Sequence, residues 1–194
     1  MKVVDISSWQ TDIDWQCLKD NGVQGVIIKI GEAGYGLDEM FVTHVNNAVA
    51  YGIPYGVYFY AHACDEVGGV SEADTVDQWL KTYLRGETPP LGIWYDAEDQ
   101  SMLNGKNPAY PAAYFIDSML KYGYTYVGIY SSYNWLTNIM DLSILPSYVP
   151  FWTAQYNYQN DFKLENPNRI CRMWQYTDRG QYGNMTLDTN EYYE

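Results

Sequence analysis

The chain has 194 residues, of which 47% are hydrophobic and 18% charged, so it fits a globular domain with a sizeable core and not a disordered chain. Acidic residues outnumber basic ones by 24 to 11, and the net charge of −13 makes nucleic acid and anionic membranes unfavourable partners. Three cysteines without CxxC spacing and two histidines without a ligand pattern predict no disulfide framework, no metal site and no cofactor.

Short β-rich segments alternate with longer helical ones over the first 130 residues. Ser71, with Asp74 three positions later, predicts the N-terminal cap of the third helix, and Gly52 with Pro54 predicts the end of the second. The predicted strands are 3–6, 25–30, 55–60, 92–97 and 126–130, and the predicted helices are 14–21, 38–51, 71–84 and 109–122.

The pattern changes after about residue 140. Segments 151–156 and 172–177 predict further strands, the chain closes with LDTNEYY, and the polar stretch 157–170 between them contains no helix of useful length. Five strand–helix units indicate a parallel sheet, and the later strands would complete it with few or no helices. The sequence therefore predicts an α/β barrel formed by one domain over 1–194, with no linker dividing it.

The fourth predicted strand lies in the segment LGIWYDAED and is followed by two carboxylates. Residues two apart in a strand face the same side, so Asp96 and Glu98 would stand together at its carboxyl end. Crowded carboxyl groups ionise with difficulty, and one of them keeps its proton to higher pH, as acid-catalysed glycosidic cleavage requires. The alternative is a strand end that passes into a solvated polar loop.

Other acidic residues follow the predicted strands at distant points of the chain. In a parallel barrel the carboxyl ends of the strands form one rim, where functional groups collect. The residues predicted to meet there are Asp5, Glu32, Asp96, Glu98, and Asp188 with Asn190.

Aromatic residues are unusually abundant, with 21 Tyr and 7 Trp. Their flat apolar faces and polar edges suit contact with sugar rings, although core packing accounts for part of them. The substrate-binding candidates on the later parts of the strands are Tyr58, Tyr60, Tyr130, Trp152, Tyr156, Trp174 and Gln175.

These residues form an ordered set of motifs over nearly the whole chain, and in that order the sequence resembles the glycoside hydrolase family 25 lysozymes of bacteriophages, bacteria and fungi. Each motif alone is weak, but the ordered set is specific. The set is DxSxxQ (Asp5, Ser7, Gln10), IKxxE ending at Glu32, Gly56–Tyr58–Phe59, DxE (Asp96, Glu98), Tyr130–Ser131, WxAxY (Trp152, Ala154, Tyr156), WQYT (Trp174–Thr177) and DxN (Asp188, Asn190).

The resemblance implies an irregular TIM-like (β/α)5β3 barrel that cleaves the β-1,4 bond between N-acetylmuramic acid and N-acetylglucosamine in peptidoglycan. It implies that Glu98 is the general acid and that Asp96 either orients the N-acetyl group of the substrate as an internal nucleophile or helps to place a water molecule. Asp5 and Asp188 would line the site. The resemblance leaves open whether the anomeric configuration is retained or inverted.

Some features depart from the family pattern. Tyr60 stands where a His is common, and the glycine-rich stretch before Asp188 is short. No wall-binding repeat follows the barrel, so targeting would depend on the groove, on oligomerisation or on an additional module. No signal peptide is recognised. Action at the cell wall would then require release by lysis or holin-type export, or the sequence is a trimmed mature form.

Three other functions are alternatives on the sequence. A chitinase-like glycosidase would carry a DxxDxDxE run, but Leu91 and Trp94 occupy the two earlier acidic positions. A catalytically weak or inactive glycan-binding barrel would not need the four carboxylates Asp5, Asp96, Glu98 and Asp188. An interaction protein with many exposed Tyr residues is a third alternative.

Overall fold

A computed structural model describes residues 1–193. Its strands are β1 (Lys2–Ile6), β2 (Gly25–Glu32), β3 (Gly36–Leu37), β4 (Tyr55–Tyr60), β5 (Ile93–Asp96), β6 (Val127–Ser132), β7 (Pro150–Ala154), β8 (Ile170–Tyr182) and β9 (Met185–Tyr192). Its α-helices are α1 (Trp15–Asp20), α2 (Phe41–Tyr51), α3 (Glu66–Leu84), α4 (Ala109–Lys121) and α5 (Asp161–Glu165).

The strands close into a barrel because β1 pairs with β2 on one side and with β9 on the other. The order around the barrel is β1, β2, β4, β5, β6, β7, β8 and β9, and the two-residue β3 lies against the end of β2. Neighbouring strands are parallel except where β9 pairs with β8 and β1. The predicted (β/α)5β3 barrel is confirmed.

Alternation along the strands divides the core into two layers. Val4, Ile28 and Phe59 point outward and pack in the layer between sheet and helices. The side chains that fill the barrel interior are Val3, Ile27, Leu91, Trp94, Tyr130, Trp152 and Met173. Because side chains two apart share a face, Asp5 and Asp96 follow Val3 and Trp94 on the inner face.

Helix α3 begins earlier than the predicted residue 71. Its N-terminal cap is Asp65, whose side chain accepts a hydrogen bond of 2.7 Å from Gly68 N, so the predicted cap at Ser71 is wrong. Two consecutive glycines near the start of a helix argue against helix in the sequence. Gly69 is required by packing, however, because a Cβ atom there would lie 2.3 Å from Pro111 O on α4.

Two other segments differ from prediction. Residues 38–40 form a turn between β3 and α2 instead of the first turn of that helix. The closing strands are not uniformly short, because β8 extends over 13 residues and forms a long antiparallel hairpin with β9. Gly183, at φ 60°, makes the left-handed turn of that hairpin. The polar stretch 157–170 contains only the five-residue helix α5, in line with the prediction of no helix of useful length there.

Candidate active site

A cavity of about 180 Å³ opens at the carboxyl ends of the barrel strands. Of the thirteen residues predicted to form the site, nine line it, and Glu32, Tyr156, Trp174 and Asn190 do not. The complete lining is Asp5, Trp9, Lys29, Tyr58, Tyr60, Asp96, Glu98, Tyr130, Trp152, Gln175 and Asp188.

Asp5 lies on β1 at the bottom of this cavity, with only 9% of its surface exposed. Its carboxylate accepts hydrogen bonds from Asn190 Nδ2 at 2.7 Å and from Gln175 Nε2 at 3.1 and 3.2 Å. Burial, reinforced by the charge of Asp188, raises the pKa of Asp5 to about 7 despite these bonds. Asp5 therefore holds a proton under mildly acidic conditions.

Asp96 is the last residue of β5 and is 3% exposed. Its Oδ1 atom is buried and has no hydrogen-bond partner within residues 1–193. Burial and then the charge of Glu98 raise the pKa of Asp96 well above its usual value, while the charge of Lys29 acts in the opposite direction. A buried hydrogen-bond acceptor without a donor costs free energy. A bound molecule that donates a hydrogen bond to Asp96 Oδ1 would remove that cost.

Glu98 lies two residues beyond β5, at the wall of the same cavity. Its pKa is raised by burial first, and then by the negative charges of Asp188 and Asp99. A carboxyl group that keeps its proton beside other carboxylates can donate that proton to a leaving oxygen. Glu98 thus has the environment of a general acid.

Aromatic and amide groups hold the floor of the cavity in one arrangement. Gln175 Oε1 accepts hydrogen bonds from Tyr130 OH at 3.0 Å and from Tyr156 OH at 3.2 Å, which directs the Gln175 amide nitrogen toward Asp5. Trp152 Nε1 donates to Asn190 Oδ1 at 2.8 Å, and the rings of Tyr130 and Trp152 lie 4.3 Å apart. The polar groups around Asp5 are therefore fixed before any ligand binds.

The model of glycosyl hydrolases family 25 matches residues 4–185. The chain belongs to this family. It is 31% identical to the probable GH family 25 lysozyme 2 of Dictyostelium discoideum, over 97% of this chain and 89% of that protein.

Solved structures with the same barrel include an autolysin and a bacteriophage endolysin. The modular autolysin LytC of Streptococcus pneumoniae matches with a TM-score of 0.85 and 26% identity, over 99% of this chain but only 46% of LytC. The catalytic domain of endolysin ply40 from bacteriophage P40 of Listeria monocytogenes matches with a TM-score of 0.79 and 25% identity, over 98% of this chain and 91% of that chain. This family 25 barrel therefore spans less than half of the length of LytC.

Trp174, predicted to bind substrate, lies on the other side of the family 25 barrel wall. Adjacent strand residues face opposite sides, so Trp174 points outward where Gln175 points inward. Its Nε1 atom donates to Gln155 O at 2.8 Å, and its ring borders a separate outer cleft with Tyr158 and Tyr176. The prediction of Trp174 as a residue of the carboxylate cavity is thus not supported by its position.

Tyr156 and Glu32 lie near the cavity without lining it. Tyr156 follows β7, is 57% exposed, and reaches the site through its bond to Gln175. Glu32 ends β2 and pairs with Lys29 Nζ at 2.6 Å and with His62 Nε2 at 3.1 Å. Although burial acts to raise the pKa of Glu32, the contacts with Lys29 and His62 lower it below its usual value.

Two lining residues were missed by sequence reasoning. Trp9 follows β1 in the DISSWQ motif and is 88% exposed at the mouth of the cavity. Lys29 lies in the IKxxE motif, and it is the single basic side chain in the cavity lining. Both residues lie within these motifs, from which the predicted site contains only Asp5 and Glu32.

Within residues 1–193, no group of three or more His, Cys, Asp or Glu side chains is arranged to hold a metal ion. In the same part of the chain, no helix combines the length and apolar character needed to cross a membrane.

Proposed function

We propose that this family 25 glycosyl hydrolase is a lysozyme that cleaves the β-1,4 bond between N-acetylmuramic acid and N-acetylglucosamine. Its relatives include proteins named as lysozymes, autolysins and endolysins, which supports peptidoglycan as the substrate and the bacterial cell wall as the place of action. The observation that carries the proposal is the pair formed by the proton-holding Glu98 and the unpartnered, buried Asp96 Oδ1.

In this proposal Glu98 donates its proton to the glycosidic oxygen as the bond to C1 breaks. The cleft then has to stabilise positive charge at the sugar ring, and the surrounding carboxylates favour such a charge. Glu98, once ionised, takes a proton from the incoming water and returns to its starting state.

Asp96 acts on the acetamido group of the sugar. Its Oδ1 atom lacks a hydrogen-bond donor, and an acetamido N–H supplies one. An ionised Asp96 that accepts this N–H increases the electron density on the acetamido carbonyl oxygen, which attacks C1 as an internal nucleophile. The incoming water then attacks C1 and displaces the acetamido oxygen, which restores the acetamido group. Asp5 and Asp188 line the same cavity and add to its negative environment.

The test is a chemical analysis of cell walls digested with the purified protein. We expect suspensions of Gram-positive walls to clear, and mass spectrometry after borohydride reduction to find reduced muramic acid at the new chain ends. Reduced glucosamine ends would mean that the other glycosidic bond is cleaved, and a lack of new ends with several wall types would leave a glycan-binding barrel.

The variant Glu98→Gln keeps the size of the side chain but has no proton to donate, so we expect its rate to fall about 1,000-fold with the fold intact. The matched control is Glu87→Gln, a change of the same kind at an exposed position away from the cavity. Full activity in Glu98→Gln would show that another group is the acid.

A further inference from the structure

The general acid lies in a segment that is held at its two ends and not at its side chain. Glu98 follows β5 and precedes a short 3-10 helix (Gln100–Asn104), and its carboxyl group receives no hydrogen bond from any group within residues 1–193. Its position therefore depends on the backbone of the residues before and after it. On the upstream side, Ala97 N donates to Tyr130 O at 2.9 Å, which ties the segment to the barrel.

On the downstream side the segment is fixed by Asp99. Asp99 Oδ1 accepts a hydrogen bond of 2.8 Å from Ser101 N, which caps the 3-10 helix, and lies 3.2 Å from His62 Nδ1. Asp99 Oδ2 accepts a longer bond of 3.4 Å from Tyr60 OH. Asp99, the residue that directly follows Glu98, is thus connected to the loop after β4.

His62 makes polar contacts through its ring and through its backbone. Its Nε2 atom lies 3.1 Å from Glu32 Oε1, and its carbonyl oxygen accepts a bond of 3.1 Å from Ser101 Oγ. The backbone N–H groups of His62 and Ala63 both donate to Glu72 Oε1 at 2.8 Å. With both ring nitrogens and both backbone groups engaged, the imidazole has little freedom to move.

The anchor of this loop is a buried carboxylate for which the hydrolytic mechanism has no use. Glu72 is 7% exposed on α3, and its second oxygen accepts a bond of 2.6 Å from Tyr95 OH. Tyr95 directly precedes Asp96, so the same network that holds His62 also contacts the strand that carries the catalytic pair.

We propose that the bridge Glu32–His62–Asp99 positions the general acid, and that His62 is its central positioning residue. The inference rests on the role proposed for Glu98. It gives Glu32 a different part from substrate binding, because both of its oxygens are already occupied by Lys29 and His62. The bridge connects the ends of β2, β4 and β5 along one side of the cavity.

A purely stabilising role predicts something different. Polar contacts between side chains that are about one quarter exposed, as these are, contribute little to stability, and their loss would lower Tm slightly without changing catalysis. A positioning role predicts a loss in kcat with KM nearly unchanged, because misplacing a catalytic group by a fraction of an ångström slows the chemical step.

The experiment measures kcat and KM of His62→Ala, Asp99→Asn and the double variant on a soluble peptidoglycan glycan fragment. We expect kcat to fall about tenfold in each single variant, KM to change less than about twofold, and the double variant to lose no more than either single one. Glu32→Gln, which keeps the length of the side chain, should show a smaller loss of the same kind. Losses that multiply in the double variant, or an unchanged kcat in His62→Ala, would overturn the proposal.

The matched control is Asp141→Asn. Asp141 caps another 3-10 helix through Ser143 N at 3.0 Å, in the same arrangement as Asp99 and Ser101, but away from the cavity. We expect its kcat to equal that of the wild type. A loss in this control equal to that in Asp99→Asn would show that capping alone explains the effect.

Amide hydrogen exchange over residues 98–104 separates this inference from the proposed function. We expect faster exchange there in His62→Ala than in the wild type, whatever the substrate. If the wild type cleaves no wall glycan, the proposed function fails, and faster exchange still supports the bridge. Unchanged exchange in a folded His62→Ala protein would overturn the bridge even if the wild type is an active lysozyme.

Discussion

Asp5 on β1 lies directly opposite Asp188 on β9, in the antiparallel register that pairs the two strands. Burial and the charge of Asp188 raise the pKa of Asp5 to about 7. Burial also raises the pKa of Asp188, followed by the charge of Asp178, while a hydrogen bond from protonated Asp5 opposes the shift. The two carboxyl groups therefore titrate as a pair that retains a proton at mildly acidic pH.

This pair predicts that the protein is less stable at neutral than at mildly acidic pH. The pKa of Asp5 is about 7 when folded and 3.8 as a free group, so the folded state binds more protons between these values. The free energy of unfolding then decreases as pH rises from about 4 to about 7. Thermal unfolding across this range should show a falling Tm for the wild type and a flatter profile for Asp5→Asn.

The control for this prediction is Asp12→Asn, at an exposed position outside the cavity lining. Its profile should follow that of the wild type. An Asp5→Asn profile as steep as that of the wild type would mean that other groups cause the decline.

Asp188 should also set the upper pH limit of catalysis. After burial, its charge is the largest cause of the raised pKa of Glu98. Asp188→Asn removes this charge, so Glu98 loses its proton at lower pH, and the alkaline limb of kcat/KM should move to lower pH. The pH profile on a soluble glycan fragment measures this shift. An alkaline limb that stays in place would show that Asp188 does not act on the acid.

Asp96→Asn should separate activity from stability. Asp96 is buried, and its Oδ1 atom has no partner within residues 1–193, so folding gains nothing from its charge. We expect the rate to fall about 100-fold or more, because Asn cannot supply a negative charge to the acetamido group, and Tm at neutral pH not to fall. Activity on wall glycan and thermal unfolding of the same preparation provide the two measurements.

Asp38→Asn is the contrasting variant for that experiment. Asp38 is equally buried, but its carboxylate accepts bonds of 3.0 Å from Ser8 N and from Met40 N. Replacing one acceptor oxygen by an amide nitrogen should lower its Tm. A drop in Tm for Asp96→Asn as large as that for Asp38→Asn would make Asp96 a structural residue.

The alternation of side chains along the strands let the sequence predict which strand residues point into the barrel. Asp5 and Asp96 lie near the carboxyl ends of predicted parallel strands, which meet at one rim, whereas Asp188 reaches that rim on the antiparallel β9. The same periodicity excludes Trp174 once Gln175 is assigned to the interior, because neighbours on a strand cannot share a face. The residue type of Trp174 suits sugar binding, but residue type alone does not decide which of two strand neighbours faces the cavity.

The remainder of the site lies in loops, where no periodicity fixes the direction of a side chain. His62 and Asp99 follow strand ends, and only the closed barrel shows that His62 meets both Glu32 and Asp99. The early start of α3 was hidden for a different reason. Gly69 has poor intrinsic helix propensity and is there because α4 packs too closely for any side chain.

Lys29 provides the last prediction, which concerns the acid limb of the pH profile. Its Nζ atom pairs with Glu32 Oε2 at 2.6 Å and lies 5.2 Å from the centre of the Tyr60 ring, and its charge favours ionised Asp96. Lys29→Met removes that charge and keeps an apolar stem. The pKa of Asp96 should then rise further, and since Asp96 acts as an anion, the acid limb of kcat should move to higher pH with little change in KM. Lys163→Met is the control, because Lys163 makes a similar contact with a tyrosine ring, 3.3 Å from the centre of Tyr193, outside the cavity. A large rise in KM with an unmoved acid limb would contradict the prediction and make Lys29 a substrate-binding residue instead.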